Sequence, residues 1–230
     1  MKKFLSLILA LIMTTALLTV GANAVWDDDA QNNHLEEAQL VVALKLMNPQ
    51  GDHKELFQPR NAMSRGFACR VVATMVLGPE AADALPAAQP FDDVFETNAN
   101  SKYINWCKEQ GIVSGYGDGK FGPAKYVSRD AFLKMMLGAR GYKAGEQGYN
   151  KADGWRWEVL TDAQAAGLLD DVTIGYAVQM ARDECAKVIT NTLMTKSAAT
   201  GKLLYEGSYP TLTQSGSTWT LNGEQIVPFK

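Results

Sequence analysis

The sequence predicts a mainly α-helical domain of three related helix-loop-helix units, followed by a small C-terminal β-hairpin appendage. Three observations predict it. A loop motif repeats at constant spacing, apolar residues flank it at helical period, and the pattern turns strand-like after residue 203.

Composition sets the outer limits. Of 230 residues, 47% are hydrophobic and 20% charged, with a formal charge of −3. Such a chain can bury a core, is not disordered in bulk, and lacks the basic excess of a nucleic-acid binder. Residues 1–24 stand apart from the fold: Met1-Lys2-Lys3 opens an apolar run from Phe4 to Val20 that ends in Ala22-Asn23-Ala24. This is the pattern of a secretory signal peptide cleaved between Ala24 and Val25, and an uncleaved anchor is the alternative. After cleavage no membrane span is expected.

The repeat is read from two loops. Gly51-Asp52-His53-Lys54-Glu55-Leu56-Phe57-Gln58-Pro59 and Gly115-Tyr116-Gly117-Asp118-Gly119-Lys120-Phe121-Gly122-Pro123 align 64 residues apart, and Ser64-Arg65 and Ser128-Arg129 keep that offset. A third copy is divergent: Ala166-Gly167-Leu168-Leu169 matches Gln110-Gly111-Ile112-Val113, and Ala181-Arg182-Asp183-Glu184 matches Ser128-Arg129-Asp130-Ala131, with a shorter loop between. The units are expected at 34–78, 90–143 and 153–196, and the β tail at 201–230.

Before each loop the helical stripe is Tyr103, Ile104, Trp106 and Cys107 in the second unit and Val159, Leu160, Ala163 and Ala166 in the third. After it come Val71, Val72, Met75 and Val76; Phe132, Leu133, Met136 and Leu137; and Cys185, Val188, Ile189 and Leu193. One helix pair cannot bury both stripes, so the three pairs must pack together. Residues 79–86 and 144–148 are expected to be connecting loops. The tail from Leu203 to Phe229 carries Trp219-Thr220-Leu221-Asn222-Gly223-Glu224-Gln225-Ile226-Val227, an Asn-Gly hairpin signal. Cys69, Cys107 and Cys185 are odd in number, lie on apolar stripes and lack C-x-x-C spacing, so they are expected to be free, buried thiols.

Arg65, Arg129 and Arg182 each fall at the first position of a predicted helix, where the positive end of the helix dipole makes a cation unfavourable. Two readings explain the recurrence. Either the guanidinium and the free first-turn amides take up an anion, or each arginine pairs with an acid, Asp130 and Asp183 being adjacent to two of them.

Phe91-Asp92-Asp93-Val94, Tyr103, Ile104, the run from Gly111 to Pro123 and Ser128-Arg129-Asp130 resemble the repeat of the surface-layer homology (SLH) domain, and the resemblance extends over residues 34–196. It implies a pseudo-threefold helical spindle whose grooves bind secondary cell-wall polymers, often a pyruvylated glycan. The family motif Thr-Arg-Ala-Glu is varied here: Ser64-Arg65-Gly66-Phe67 and Ser128-Arg129-Asp130-Ala131 keep the hydroxyl and the arginine, and Ala181-Arg182-Asp183-Glu184 keeps the arginine and the glutamate. The resemblance implies that Arg65, Arg129 and Arg182, with Ser64 and Ser128, hold the anionic ketal. Gly115, Tyr116, Asp118 and Asp52 are candidates for lining the grooves.

Other chemistries fit less well. The 115–119 loop lacks the Lys-Ser/Thr pair of a phosphate loop and the several carboxylates of a calcium loop, so it reads as a tight turn. His34 and His53 lie in no nucleophile or zinc motif, and Asp92 or Asp93 is expected to cap a helix. Trp106 is expected in the core, while Trp155 and Trp157 could stack on sugar rings or on the core. The expectation is an exported, non-catalytic wall-binding protein without cofactor or metal. The alternative is a surface adaptor whose β tail self-assembles or recruits another surface protein.

Overall fold

The computed structural model describes residues 25–50, 52, 54–173, 178–198 and 200–227. The predicted signal segment and His53 lie outside the described residues. Among those described, eight helices precede a small sheet: α1 (Leu35–Ala43), α2 (Arg65–Leu77), α3 (Pro79–Asp83), α4 (Ser101–Glu109), α5 (Arg129–Ala139), α6 (Trp155–Ala165), α7 (Arg182–Leu193) and α8 (Leu204–Ser208), then β1 (Thr213–Ser215), β2 (Thr218–Leu221) and β3 (Glu224–Val227).

Local chemistry sets the helix ends. Ser64 Oγ accepts from Phe67 N at 3.2 Å and Ser128 Oγ from Ala131 N at 3.3 Å, which caps α2 and α5. At α7 the cap hydroxyl is missing, and Glu184 Oε2 instead accepts from Ala181 N at 2.9 Å, half of a capping box. Helices α1, α4 and α6 all stop alike. Lys45, Gly111 and Gly167 take left-handed φ of 60°, 70° and 74°, and the next amide reaches back to the fifth carbonyl before it: Leu46 to Val41, Ile112 to Cys107 and Leu168 to Ala163. Lysine performs at residue 45 a task that glycine does without steric cost.

The packing order is cyclic. Helix α4 packs on α2, α6 on α5, and α1 on α7, so each unit's first helix lies on the second helix of the unit before it and the last unit closes on the first. The stripes meet inside this ring: Val71, Val72, Met75, Ile104, Phe132, Leu133, Met136, Val188 and Ile189 are fully buried. All three cysteines are buried and unpaired within the same core.

Three features differ from expectation. Residues 79–83 form the short helix α3 rather than loop, because Pro79 sits at the first helical position and Ala82 is buried. The tail is a three-stranded antiparallel meander in the order β1-β2-β3, preceded by α8, and not a hairpin alone. It is also docked: Tyr209, Leu212, Trp219 and Val227 join the core, the Tyr209 hydroxyl donates to Leu44 O at 2.9 Å, and Ser208 Oγ donates to Met75 O at 2.6 Å. The β2–β3 turn is the predicted one, with Asn222 and Gly223 both at positive φ. The third feature is an arm ahead of residue 34, whose role is seen in the loops.

Candidate functional site

Each long loop is held from behind by an aspartate. In the second unit Asp93 accepts from Phe121 N and Gly122 N, both at 2.8 Å, and Phe91 stacks on Phe121 with ring centroids 5.2 Å apart. In the first unit Asp28 accepts from Phe57 N at 2.9 Å and Gln58 N at 2.6 Å, and Trp26 packs on Phe57 at 5.0 Å. Residues 26–28 therefore serve the first loop as 91–93 serve the second, although residue 34 is where the sequence opens that unit. Asp93 clamps a loop where a helix cap was expected. Burial opposes its ionisation, but the Phe121 and Gly122 amides outweigh that and hold the carboxyl below the ordinary range.

The 115–119 segment is a tight turn: Tyr116 N donates to Lys120 O at 2.9 Å and Asp118 Oδ1 accepts from Lys120 N at 3.0 Å. Gly115 is there for space, since a Cβ would come within 2.7 Å of Lys120 O and 2.9 Å of the Phe91 ring. Asp118 is exposed, Tyr116 is 53% exposed, and Asp52 is exposed in the corresponding turn of the first unit.

Arg65 and Arg182, at two of the helix starts, sit on these loops, each on the loop of the following unit. Arg65 Nε donates to Phe121 O at 3.0 Å and Nη2 to Ser114 O at 3.4 Å. Arg182 repeats this on the first loop, with Nε to Phe57 O at 2.9 Å and Nη2 to Asn48 O at 2.8 Å. The backbone follows the same route: Arg65 N meets Lys125 O, Gly66 N meets Pro123 O, Arg182 N meets Asn61 O, Asp183 N meets Pro59 O, and Arg129 N meets Val178 O. The first-turn amides expected to be open to an anion are thus taken by loop carbonyls. Gly66 permits the approach, because a Cβ there would lie 3.0 Å from Pro123 O.

The three guanidinium groups are not equivalent. Arg182 is 6% exposed, and burial pushes its pKa down to about 10. It does not pair with Asp183, which is buried, accepts from Asn33 N at 3.1 Å and lies 3.5 Å from Arg60. Arg129 does pair with its neighbour, Nε to Asp130 Oδ1 at 3.0 Å, and Arg156 lies 3.5 Å from the other oxygen. Arg65 is half-buried over the Phe121 ring at 4.4 Å and beside the Tyr116 ring at 5.0 Å, with Lys125 Nζ 4.6 Å from that same tyrosine.

Structure therefore brings Arg65, Tyr116 and Lys125 together with the capping Ser64 at the junction of α2 and the second loop. Lys125 was missed by sequence reasoning, since nothing in its spacing ties it to Tyr116. Trp157 is 75% exposed at the start of α6, whereas Trp155 packs against the core and under Lys134, 5.7 Å from its ring. Trp106 is half-buried at the far end of the bundle. Among the described residues, no helix is long and apolar enough to cross a membrane.

Comparison with known proteins bears on this arrangement. The S-layer homology domain model matches residues 90–133, which hold the Asp93 clamp, α4, the second loop and the start of α5. Cell surface glycoprotein 1 of Acetivibrio thermocellus is 28% identical over 81 residues, 35% of this chain and 4% of that protein. The chain thus spans a small fraction of that relative's length. The S-layer homology signature thus lies over the clamp, the loop and the arginine-headed helix, and the chain carries an S-layer homology domain match at residues 90–133.

Proposed function

We propose that the protein anchors non-covalently to the bacterial cell wall at the cell surface, by binding an anionic secondary polysaccharide, the pyruvylated type being the best fit, without catalysis. The carrying observation is the cluster of Arg65, Lys125 and exposed Tyr116: two cations and an aromatic face suit a sugar that bears a carboxylate. The cyclic packing supports three repeats and three related grooves. They differ in what their arginines can offer a ligand. Arg65 is half-buried beside the exposed Tyr116 and Lys125, Arg129 shares its charge with Asp130, and Arg182 is committed to the fold.

Co-sedimentation with wall sacculi, intact or stripped of secondary polymer, tests this reading. The parent should pellet with intact walls alone, and folded Arg65→Ala and Tyr116→Ala variants should stay largely in solution. Undiminished pelleting of both variants would sink it. The adaptor reading draws on one feature: β1 is exposed along its whole length at the sheet edge, a surface on which another strand could pair. Concentration-dependent light scattering would reveal such pairing, and a monomer at all concentrations would exclude self-assembly.

A further inference from the structure

At the end of the bundle away from the loops, about 16 Å along α2 from Arg65, lies a cleft of about 500 Å³. That volume is in the range of small-molecule sites. Its walls come from four segments far apart in sequence: Val76 at the end of α2, Trp106 and Ile112 at the end of α4, Ala139 at the end of α5, and Leu203 and Leu204 from the tail. Val76, Trp106 and Leu204 are only half-buried although they pack on the core, so the cleft leaves part of their apolar surface uncovered.

The charged side chains that line this cleft are of one sign. In a chain with more acids than bases, the lining holds two lysines, Lys143 and Lys202, and neither aspartate nor glutamate. Lys143 lies 3.4 Å from Glu146, and Lys202 has no acid within ion-pair distance among the described residues. A third cation stands behind Tyr142, another lining residue. Arg140 is buried 5.6 Å from that ring and its Nη2 donates to Lys196 O at 2.7 Å, while its Nε and Nη1 meet no acceptor among the described residues. No acid among the described residues lies within ion-pair distance of this guanidinium.

We propose that the cleft binds a small anionic amphiphile, its apolar body against Trp106, Ile112 and Leu204 and its carboxylate or sulfonate at Lys202. Apolar walls supply affinity, and Lys202 and Arg140, which pair with no acid among the described residues, supply the preference for negative charge. The site depends on the tail, because Leu203, Leu204 and Lys202 form one wall, and it shares no residue with the glycan-facing cluster.

The test uses the purified protein with dodecanoate and dodecanol as probes, followed by calorimetry and by displacement of the fluorophore 8-anilinonaphthalene-1-sulfonate. One site per chain is expected, with dodecanoate bound at least about tenfold more tightly than dodecanol. Gly207 offers the blocking position: it lines the cleft within α8, and a Cβ there would meet nothing within 4 Å. Gly207→Leu should weaken both probes by about tenfold or more while the circular dichroism spectrum is kept. The surface variant Lys202→Glu should weaken dodecanoate and leave dodecanol unchanged. Absence of saturable binding, or equal binding of both probes by the parent and by both variants, would overturn the proposal.

Discussion

Arg182→Ala should destabilise the fold more than the same change at Arg65 or Arg129, and the structure sets the size of the effect. The guanidinium donates to Phe57 O and Asn48 O, and two hydrogen bonds from a charged donor contribute about 1.5–3 kcal/mol each. Against this, a pKa pushed down to about 10 by burial puts the desolvation cost at about 3 kcal/mol. The intact arginine is therefore a modest net gain. Truncation is worse than losing that gain, because it strands two carbonyl oxygens and removes the packing on Phe57, so the expected loss is about 3 kcal/mol. With a urea dependence of about 2–3 kcal/mol per molar, the unfolding midpoint should fall by about 1–1.5 M. Arg65, half-buried with the same kinds of bond, should cost about 1 kcal/mol, and Arg129, paired with Asp130 at 3.0 Å, less than that. Urea unfolding followed by tryptophan fluorescence reads all three. Equal losses, or a larger loss at Arg129 than at Arg182, would refute the idea that these arginines clasp the next loop.

Other outcomes follow from the same geometry. The lowered pKa of Asp93 means that its contribution to stability is present above about pH 4 and is lost as pH falls through the folded value; hydrogen exchange at the Phe121 and Gly122 amides should rise there, and Asp93→Asn should be flat over the same range. Ending the chain after Lys196 removes Tyr209, Leu212, Trp219 and Val227 from the core, at about 1.5–3 kcal/mol each, so thermal unfolding should shift down by well over 10 °C or lose cooperativity; an unchanged melting curve would show the tail to be an independent appendage. Burial raises the Cys107 and Cys185 pKa values and keeps both thiols protonated; a disulfide reagent should find none of the three thiols in the native protein and all of them in guanidinium. Gly115→Ala forces a Cβ to within 2.7 Å of Lys120 O and should cost about 1–3 kcal/mol in the same urea assay.

Local signals were the legible ones. Ser64 and Ser128 ahead of helix starts and Asn222-Gly223 in a strand turn each act within a few residues, so pattern alone locates them. Lys45 hid the end of α1, because a lysine in left-handed conformation carries no glycine signature. Residues 26–28 were hidden by position, since an arm that begins two residues past a predicted cleavage site looks like a leader remnant. What could not be read was the direction of the arginines. The partners of Arg65 and Arg182 are carbonyls about 50 to 130 residues away, in the loop of the next unit, and backbone carbonyls leave no mark in a sequence. The choice between anion site and acid pairing therefore omitted the contact that Arg65 and Arg182 make, and the difference between a half-buried Arg65 and a buried Arg182 came only from the closed ring.

The central claim is that an anionic wall polymer is held at the Arg65, Tyr116 and Lys125 cluster. Calorimetric titration of the protein with purified secondary polymer, before and after mild acid has removed its pyruvyl ketals, tests it most directly. Binding that is lost with the ketals, and lost equally in a folded Arg65→Ala variant, is the predicted result. Binding that survives both changes would contradict it.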